Sequence, residues 1–176
     1  MIGIIYSTRH GSTAKIAKVI NAYIGGDCRL MNLKEIDYYV ISQCDTIVLG
    51  MPIYNGKLDS AMVEYIRRNQ SLLIEKNYSI YVTSLLFSEF MHYVTEEFDY
   101  SILKDVKVIA GLGGALYYPD LSLAEKARLS LISNLSRVVP KEHNETIFEN
   151  FNNEEIYIFA QKIKRIDDAA QEKLAD

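Results

Sequence analysis

Seven consecutive residues, Ser7-Thr8-Arg9-His10-Gly11-Ser12-Thr13, lie between a short apolar run and an amphipathic stretch, and most are small or hydroxylated. At a strand-to-helix junction such residues let several backbone N–H groups converge on one anion, and the positive end of the helix dipole favours negative charge there. The loop contains no G-x-x-x-x-G-K-[ST], so it offers neither a lysine nor a magnesium-bound hydroxyl to a triphosphate. It contains no G-x-G-x-x-G for a dinucleotide pyrophosphate either. What it suits is a single terminal phosphate. In the competing reading, Ser12 and its neighbours do no more than cap a helix.

A second segment, Gly50-Met51-Pro52-Ile53-Tyr54-Asn55-Gly56, leaves an apolar run and leads toward a helix. A planar ring can lie on Ile53 or Tyr54 while backbone groups of Asn55-Gly56 meet its polar edge. The alternative is an ordinary turn with a half-exposed tyrosine. A third loop, Ser84-Leu85-Leu86-Phe87-Ser88, adds backbone donors and apolar cover.

These loops need a scaffold, and the patterning supplies one. Ile2–Tyr6, Thr46–Gly50, Ser79–Thr83 and Val106–Gly111 are short runs rich in β-branched and aromatic residues, as strands covered on both faces are. Cys28–Leu33, preceded by Gly25-Gly26, reads as an edge strand. Helical spacing follows Ser12 (Ile16, Ala17, Ile20, Ile24), and recurs at Leu58, Met62, Tyr65, Ile66 and Asn69, and at Phe87, Phe90, Met91, Val94 and Phe98. The last such face is Ile156, Phe159, Ala160, Ile163 and Ala170, opened by Asn153-Glu154-Glu155. Strand and helix alternate, which predicts an α/β domain: a doubly wound, five-stranded parallel sheet in three layers. In such a sheet ligands sit beyond the carboxyl ends of the strands, which is where the three loops fall. From about Tyr117 to Asn150 the pattern is interrupted by an insertion with an extra helix, Leu121 to Val139. Its apolar face would be Leu123, Ala124, Ala127, Leu131, Leu135 and Val138, packed against the domain or serving as a lid or partner surface.

The chain of 176 residues reads as one compact domain over 1–176, with the insertion at about 117–150. With 49% hydrophobic and 24% charged residues it is globular rather than disordered. A net charge of −4 with scattered Lys and Arg gives no basic face for nucleic acid. Cys28 and Cys44 lack the spacing of a zinc site or a disulfide framework. With no apolar run of spanning length and no basic, apolar leader at its start, the chain is expected to be cytoplasmic.

Ser7 to Thr13 resembles the phosphate loop of the flavodoxin-like proteins that bind flavin mononucleotide (FMN), and Gly50 to Gly56 resembles their flavin-ring loop. Within that superfamily the S-T-R-x-G-x-T loop looks most like that of the menaquinone-dependent protoporphyrinogen dehydrogenases. So do the x-Tyr-x-Gly stretch before Ser60-Ala61, Ile109-Ala110-Gly111, and Gly114-Ala115-Leu116-Tyr117-Tyr118-Pro119. The resemblance implies a flavodoxin-like fold with a helical insertion before the last helix, FMN as cofactor, and an oxidoreductase that carries electrons on the flavin. It extends to oxidation of protoporphyrinogen in heme synthesis with a quinone as acceptor, and to peripheral membrane contact. By the same resemblance Ser7, Thr8, Gly11, Ser12 and Thr13 would hold the phosphate, Arg9 would add a charge-assisted contact, and His10 is either part of the site or a solvent-exposed loop residue. Pro52, Ile53, Tyr54, Asn55 and Gly56 would hold the ring, with the Asn55-Gly56 peptide facing its N5, and Ser84 and Leu85 would lie alongside. The chain has no tryptophan, leaving a tyrosine to cover the ring, and Tyr117, Tyr118 and the helix from Leu121 would overlie it and shape a site for a flat partner. The rival is a flavodoxin-type electron carrier that serves redox proteins and has no substrate of its own. A receiver module would need acids where Tyr6-Ser7-Thr8 and Leu49-Gly50-Met51 stand, and a cofactor-free interaction domain would leave the loops unused.

Overall fold

This computed structural model describes residues 1–130 and 147–175. Five parallel strands form the sheet: β1 (Ile2–Tyr6), β2 (Cys28–Asn32), β3 (Thr46–Tyr54), β5 (Asn77–Thr83) and β6 (Ile109–Gly111), in the order β2-β1-β3-β5-β6. The chain runs from β1 out to the edge at β2 and returns to β3, so the direction of winding reverses between β1 and β3. Their carboxyl ends therefore open a crevice. This is the α/β, doubly wound, three-layer architecture expected from the alternation, with the Cys28 strand at the edge.

Successive side chains of a strand point to opposite faces, and the core divides accordingly. Ile2, Ile4, Val48 and Tyr81 face the layer of α1 (Ser12–Ile24) and α8 (Asn153–Ala175). Ile5, Ile47, Leu49 and Met51 face the layer that contains α3 (Ser60–Arg68) and α5 (Phe90–Glu97), to which Met62, Ile66 and Val94 contribute. The expected inner face of α1 is buried, and so is that of α8 at Ile156, Phe159, Ala160 and Ile163, while Ala170 near its end is only half-buried. On α5 Val94 is buried, as is Phe98 just past its end, but Met91 is exposed, so that helix packs on a narrower stripe than its spacing predicts. Among the described residues no helix is long and apolar enough to cross a membrane.

Three elements differ from the expectation. β3 continues past Gly50 to Tyr54 because Asn55 (φ 53°) and Gly56 (φ 72°) are both left-handed and fold it back onto β4 (Lys57–Leu58). That is the two-residue hairpin Asn-Gly favours, since its twist matches that of paired strands. Leu58 thus belongs to a strand, and α3 starts after Asp59, whose carboxylate accepts from Met62 N–H at 3.2 Å. The last sheet strand is shorter than the apolar run, beginning at Ile109 rather than Val106. Beyond Leu112 the chain leaves the sheet as β7 (Gly113–Tyr117), which pairs antiparallel with β8 (Ile147–Phe151). At the turn, Gly113 (φ 83°) lies so close to β8 that a Cβ on it would sit 2.2 Å from Asn150 O, which only glycine accommodates. The insertion is thus partly a hairpin. Of its helix the structure shows α7 (Leu123–Ser130); Leu131, Leu135 and Val138 lie outside the described residues.

The expected apolar face of that helix is also rotated. Leu123 is 86% exposed and Ala124 and Ala127 are exposed, while Leu121 and Leu129 turn inward. Side-chain contacts of Glu125, described below, set this rotation.

Gly50 is where the sheet is tightest. A Cβ there would sit 2.1 Å from the ring of Tyr81, which is fully buried and packed edge-on against Phe159. A rigid ring in a close-packed core has no room to retreat. Gly50→Ala is expected to lower stability by at least about 2 kcal/mol in urea unfolding, and an unchanged midpoint would contradict this packing.

Candidate functional site

The phosphate loop begins where β1 ends. Ser7 N–H donates to Gly50 O at 3.0 Å, tying the loop to β3 across the winding reversal. The Ser7 side chain is buried, and its Oγ has no hydrogen-bond partner among the described residues. A buried hydroxyl without a partner is costly unless something arrives to meet it. Gly11 (φ 90°) occupies the N-cap of α1 and brings no side chain, so no cap bond closes the helix start. The first-turn N–H groups of Ser12, Thr13 and Ala14 have no intrahelical acceptor. Ser12 therefore does not cap the helix. Gly11 N–H is itself held by Thr8 Oγ1 at 2.9 Å, which shapes the loop. The Thr13 hydroxyl turns away, 2.9 Å from Thr83 Oγ1, leaving its N–H as what Thr13 can offer.

The ring loop is joined to this cradle by Tyr54. Its phenol oxygen accepts from Arg9 N–H at 2.9 Å, the Arg9 guanidinium lies 4.9 Å from its ring centroid, and His10 meets the ring edge-on at 6.0 Å. Burial pushes the Tyr54 phenol above its ordinary pKa, so it stays neutral. Arg9 is exposed, with its guanidinium stacked over Tyr54. His10 is not a solvent-exposed loop residue: its Nε2 lies 3.1 Å from Glu125 Oε1 on α7, and its side chain is 17% exposed.

Between the loops lies a cavity of about 500 Å³, within the range of small-molecule sites. His10, Ser12, Pro52 to Gly56, Ser84 and Leu85 border it. Ser7, Thr8, Arg9, Gly11 and Thr13 do not line it. The far wall is β7, where Gly114 presses so close that a Cβ would sit 2.7 Å from the Ser84 backbone. Tyr117 and Leu121 border the cavity as expected of the insertion, but Tyr118 does not and instead takes Lys126 Nζ at 4.8 Å from its ring centroid.

Thr83, Tyr93, Glu125 and Leu129 also line the cavity, and the sequence reading assigned them no role there. Glu125 had a readable signal, since Ser122-x-x-Glu125 has the spacing of a capping box. Tyr93 had none, because it sits off the expected apolar face of α5, next to the buried Val94. The insertion is tied to the opposite side of the cradle as well: Lys15 Nζ pairs with Glu149 at 2.7 Å, and Tyr117 OH donates to the same carboxylate at 2.9 Å. The Lys15 ammonium holds the Glu149 carboxyl below its ordinary range, while burial and that carboxylate raise the Tyr117 phenol to about 12. No group of three or more His, Cys, Asp or Glu among the described residues is arranged to hold a metal ion.

The chain belongs to the flavodoxin family: the family model described as Flavodoxin domain matches residues 3–140. No curated protein matches it. It is similar in structure to rubredoxin:oxygen oxidoreductase from Desulfovibrio gigas (TM-score 0.57, 16% identity), covering 99% of this chain but only 37% of that one. It also resembles oxidised Flavodoxin 2 from Bacillus cereus, with TM-score 0.55 and 15% identity over 93% of this chain and 97% of that one. The figures for the flavodoxin of Streptococcus pneumonia TIGR4 are TM-score 0.54 and 14% identity over 93% and 97%. At these identities the likeness is one of fold.

Glu125 offers a direct check on how α7 is held. The Ser122 hydroxyl, then the Ser122 N–H, then His10 lower its carboxyl from 4.5 to about 2, against a smaller opposing effect of burial. The folded value lies below the unfolded one, so this contribution is complete above about pH 4.5 and is lost as pH falls through about 2. The Glu125 side-chain carbon signal is expected to titrate near pH 2 and to move upward in Ser122→Ala. A midpoint at 4.5 in the unaltered protein would contradict the cap.

Proposed function

We propose that this protein binds FMN in the cavity and uses it as an electron-carrying oxidoreductase. The observation that carries the reading is the uncapped start of α1 beside the buried, unpartnered Ser7 hydroxyl. A phosphate at that point supplies the acceptors that the fold leaves out. The first-turn N–H groups of Ser12, Thr13 and Ala14 would hold the phosphomonoester, with the Ser7 hydroxyl beneath. Pro52, Ile53, Tyr54, Asn55 and Gly56 would flank the ring on one side, and Ser84 and Leu85 on another. The left-handed Asn55-Gly56 turn borders the cavity, and its peptide would suit a ring whose polar edge changes its hydrogen-bonding need with redox state. FMN supplies the electron transfer when bound; the chain supplies position, polarity and exclusion of water.

The insertion favours a small redox substrate over a protein partner alone. Tyr117, Leu121 and Leu129 extend the apolar wall beyond the loops that would hold the ring, leaving space for a second flat molecule. Protoporphyrinogen with a quinone acceptor is the pair this reading proposes, on the resemblance of the Gly114 to Pro119 stretch. The alternative, an electron carrier without its own substrate, would leave that wall unused.

The purified protein, incubated with FMN, is expected to retain it stoichiometrically, with the absorbance of bound flavin. Gly11→Val forces a β-branched residue into a left-handed position, and should weaken FMN at least about tenfold while leaving the circular dichroism of the sheet intact. A variant that holds FMN as tightly as the unaltered protein would refute this placement of the phosphate. Anaerobic oxidation of protoporphyrinogen with a menaquinone analogue, dependent on added FMN, separates the enzyme from the carrier. Electron transfer confined to a redox protein would favour the carrier.

A further inference from the structure

Thr13 stands in the first turn of α1, and a single strand takes hold of two of its polar groups, leaving its N–H free of the strand. Its hydroxyl lies 2.9 Å from Thr83 Oγ1, and its carbonyl accepts from Tyr81 OH at 3.0 Å. Tyr81 and Thr83 are alternate residues of β5 and so face the same side of the sheet. All three are buried. Burial raises the Tyr81 phenol well above its ordinary pKa, so it stays a donor. The Tyr81 ring reaches the helix only because Gly50 on the neighbouring strand has no Cβ in its way. The loop is thus clamped at two points, at Ser7 by the Gly50 carbonyl and at Thr13 by β5.

Helix starts usually take their setting from a capping side chain, which α1 lacks. We propose that Tyr81 and Thr83 are positioning residues: through Thr13 they fix the angle of the first turn of α1 against the sheet, so that its N–H groups converge on one phosphate. The inference rests on the FMN reading above. It assigns to the interior of β5 a part of the phosphate affinity, although Tyr81 does not line the cavity. Packing alone would place the same ring in the same core but would not need its hydroxyl, and the two accounts differ in what loss of a single oxygen does.

Dissociation constants for FMN and for riboflavin separate them, because riboflavin has the same ring and ribityl chain without the phosphate. Tyr81→Phe keeps the ring packed and removes only the donor; Thr83→Val removes the partner of Thr13 Oγ1, while Thr83→Ser retains it. Each hydroxyl removed is expected to weaken FMN about fivefold to tenfold, the value of one buried hydrogen bond. Riboflavin should stay within about twofold in Tyr81→Phe, whose altered side chain does not line the cavity; in Thr83→Val, which does border it, FMN should weaken several-fold more than riboflavin, and Thr83→Ser should restore that difference to its value in the unaltered protein. If Tyr81→Phe does not fold, Thr83→Val against Thr83→Ser decides. Equal weakening of FMN and riboflavin, or unchanged FMN affinity in the folded variants, overturns the positioning role and leaves the FMN reading standing. An unaltered protein that binds no FMN overturns both.

Discussion

The structure depends on keeping the amino end of α1 open at the bottom of a cleft. The peptide dipoles of the helix gather partial positive charge at its first turn, and three N–H groups there lack acceptors within the helix. Most proteins quench such a start with a serine, threonine or aspartate. Here the cap is Gly11, the nearby Thr8 hydroxyl is spent on Gly11 N–H, and the Thr13 hydroxyl is spent on Thr83. The local polar groups are arranged so that none of them closes the site.

That arrangement needs a rigid frame, and the reversal of winding between β1 and β3 provides it. Ser7 is pinned to Gly50, Gly50 leaves room for Tyr81, and Tyr81 reaches Thr13. The same strand that pins Ser7 continues into the Asn55-Gly56 hairpin, so the anchor of the cradle and the start of the ring loop lie on one continuous strand. Tyr54 then bonds back to Arg9. The insertion closes the remaining side through two acid–base contacts, His10 with Glu125 and Lys15 with Glu149. His10 lies in the Ser7 to Thr13 loop and Lys15 on the helix that follows it, so the wall over the cavity is tied to the same segment as its floor.

Much of this was legible in the sequence because the signals are local. Apolar runs of β-branched residues marked the strands, the Ser7 to Thr13 composition marked the cradle, and Asn55-Gly56 marked a turn whose hairpin geometry follows from two left-handed residues. What was not legible depends on contacts between distant positions. The wheel placed Leu123, Ala124 and Ala127 inward, but Glu125 bonds to His10 far away in sequence and turns that face outward. The β7–β8 hairpin was hidden because β7 is short and glycine-rich, and its partner lies across the insertion. The contact of the Arg9 guanidinium with the Tyr54 ring joins residues 45 positions apart and leaves no local signal. Tyr81 reads as an ordinary core aromatic until its hydroxyl is found on Thr13.

The central claim concerns specific backbone N–H groups, and amide chemical shifts observe those groups one by one. With saturating FMN the ¹H and ¹⁵N signals of Ser12, Thr13 and Ala14 should move strongly downfield, as N–H groups do on meeting a phosphate dianion, while riboflavin leaves them close to their positions in the free protein. Shifts of equal size with both ligands, or FMN-induced shifts confined to residues outside the Ser7 to Ala14 loop, would contradict the account.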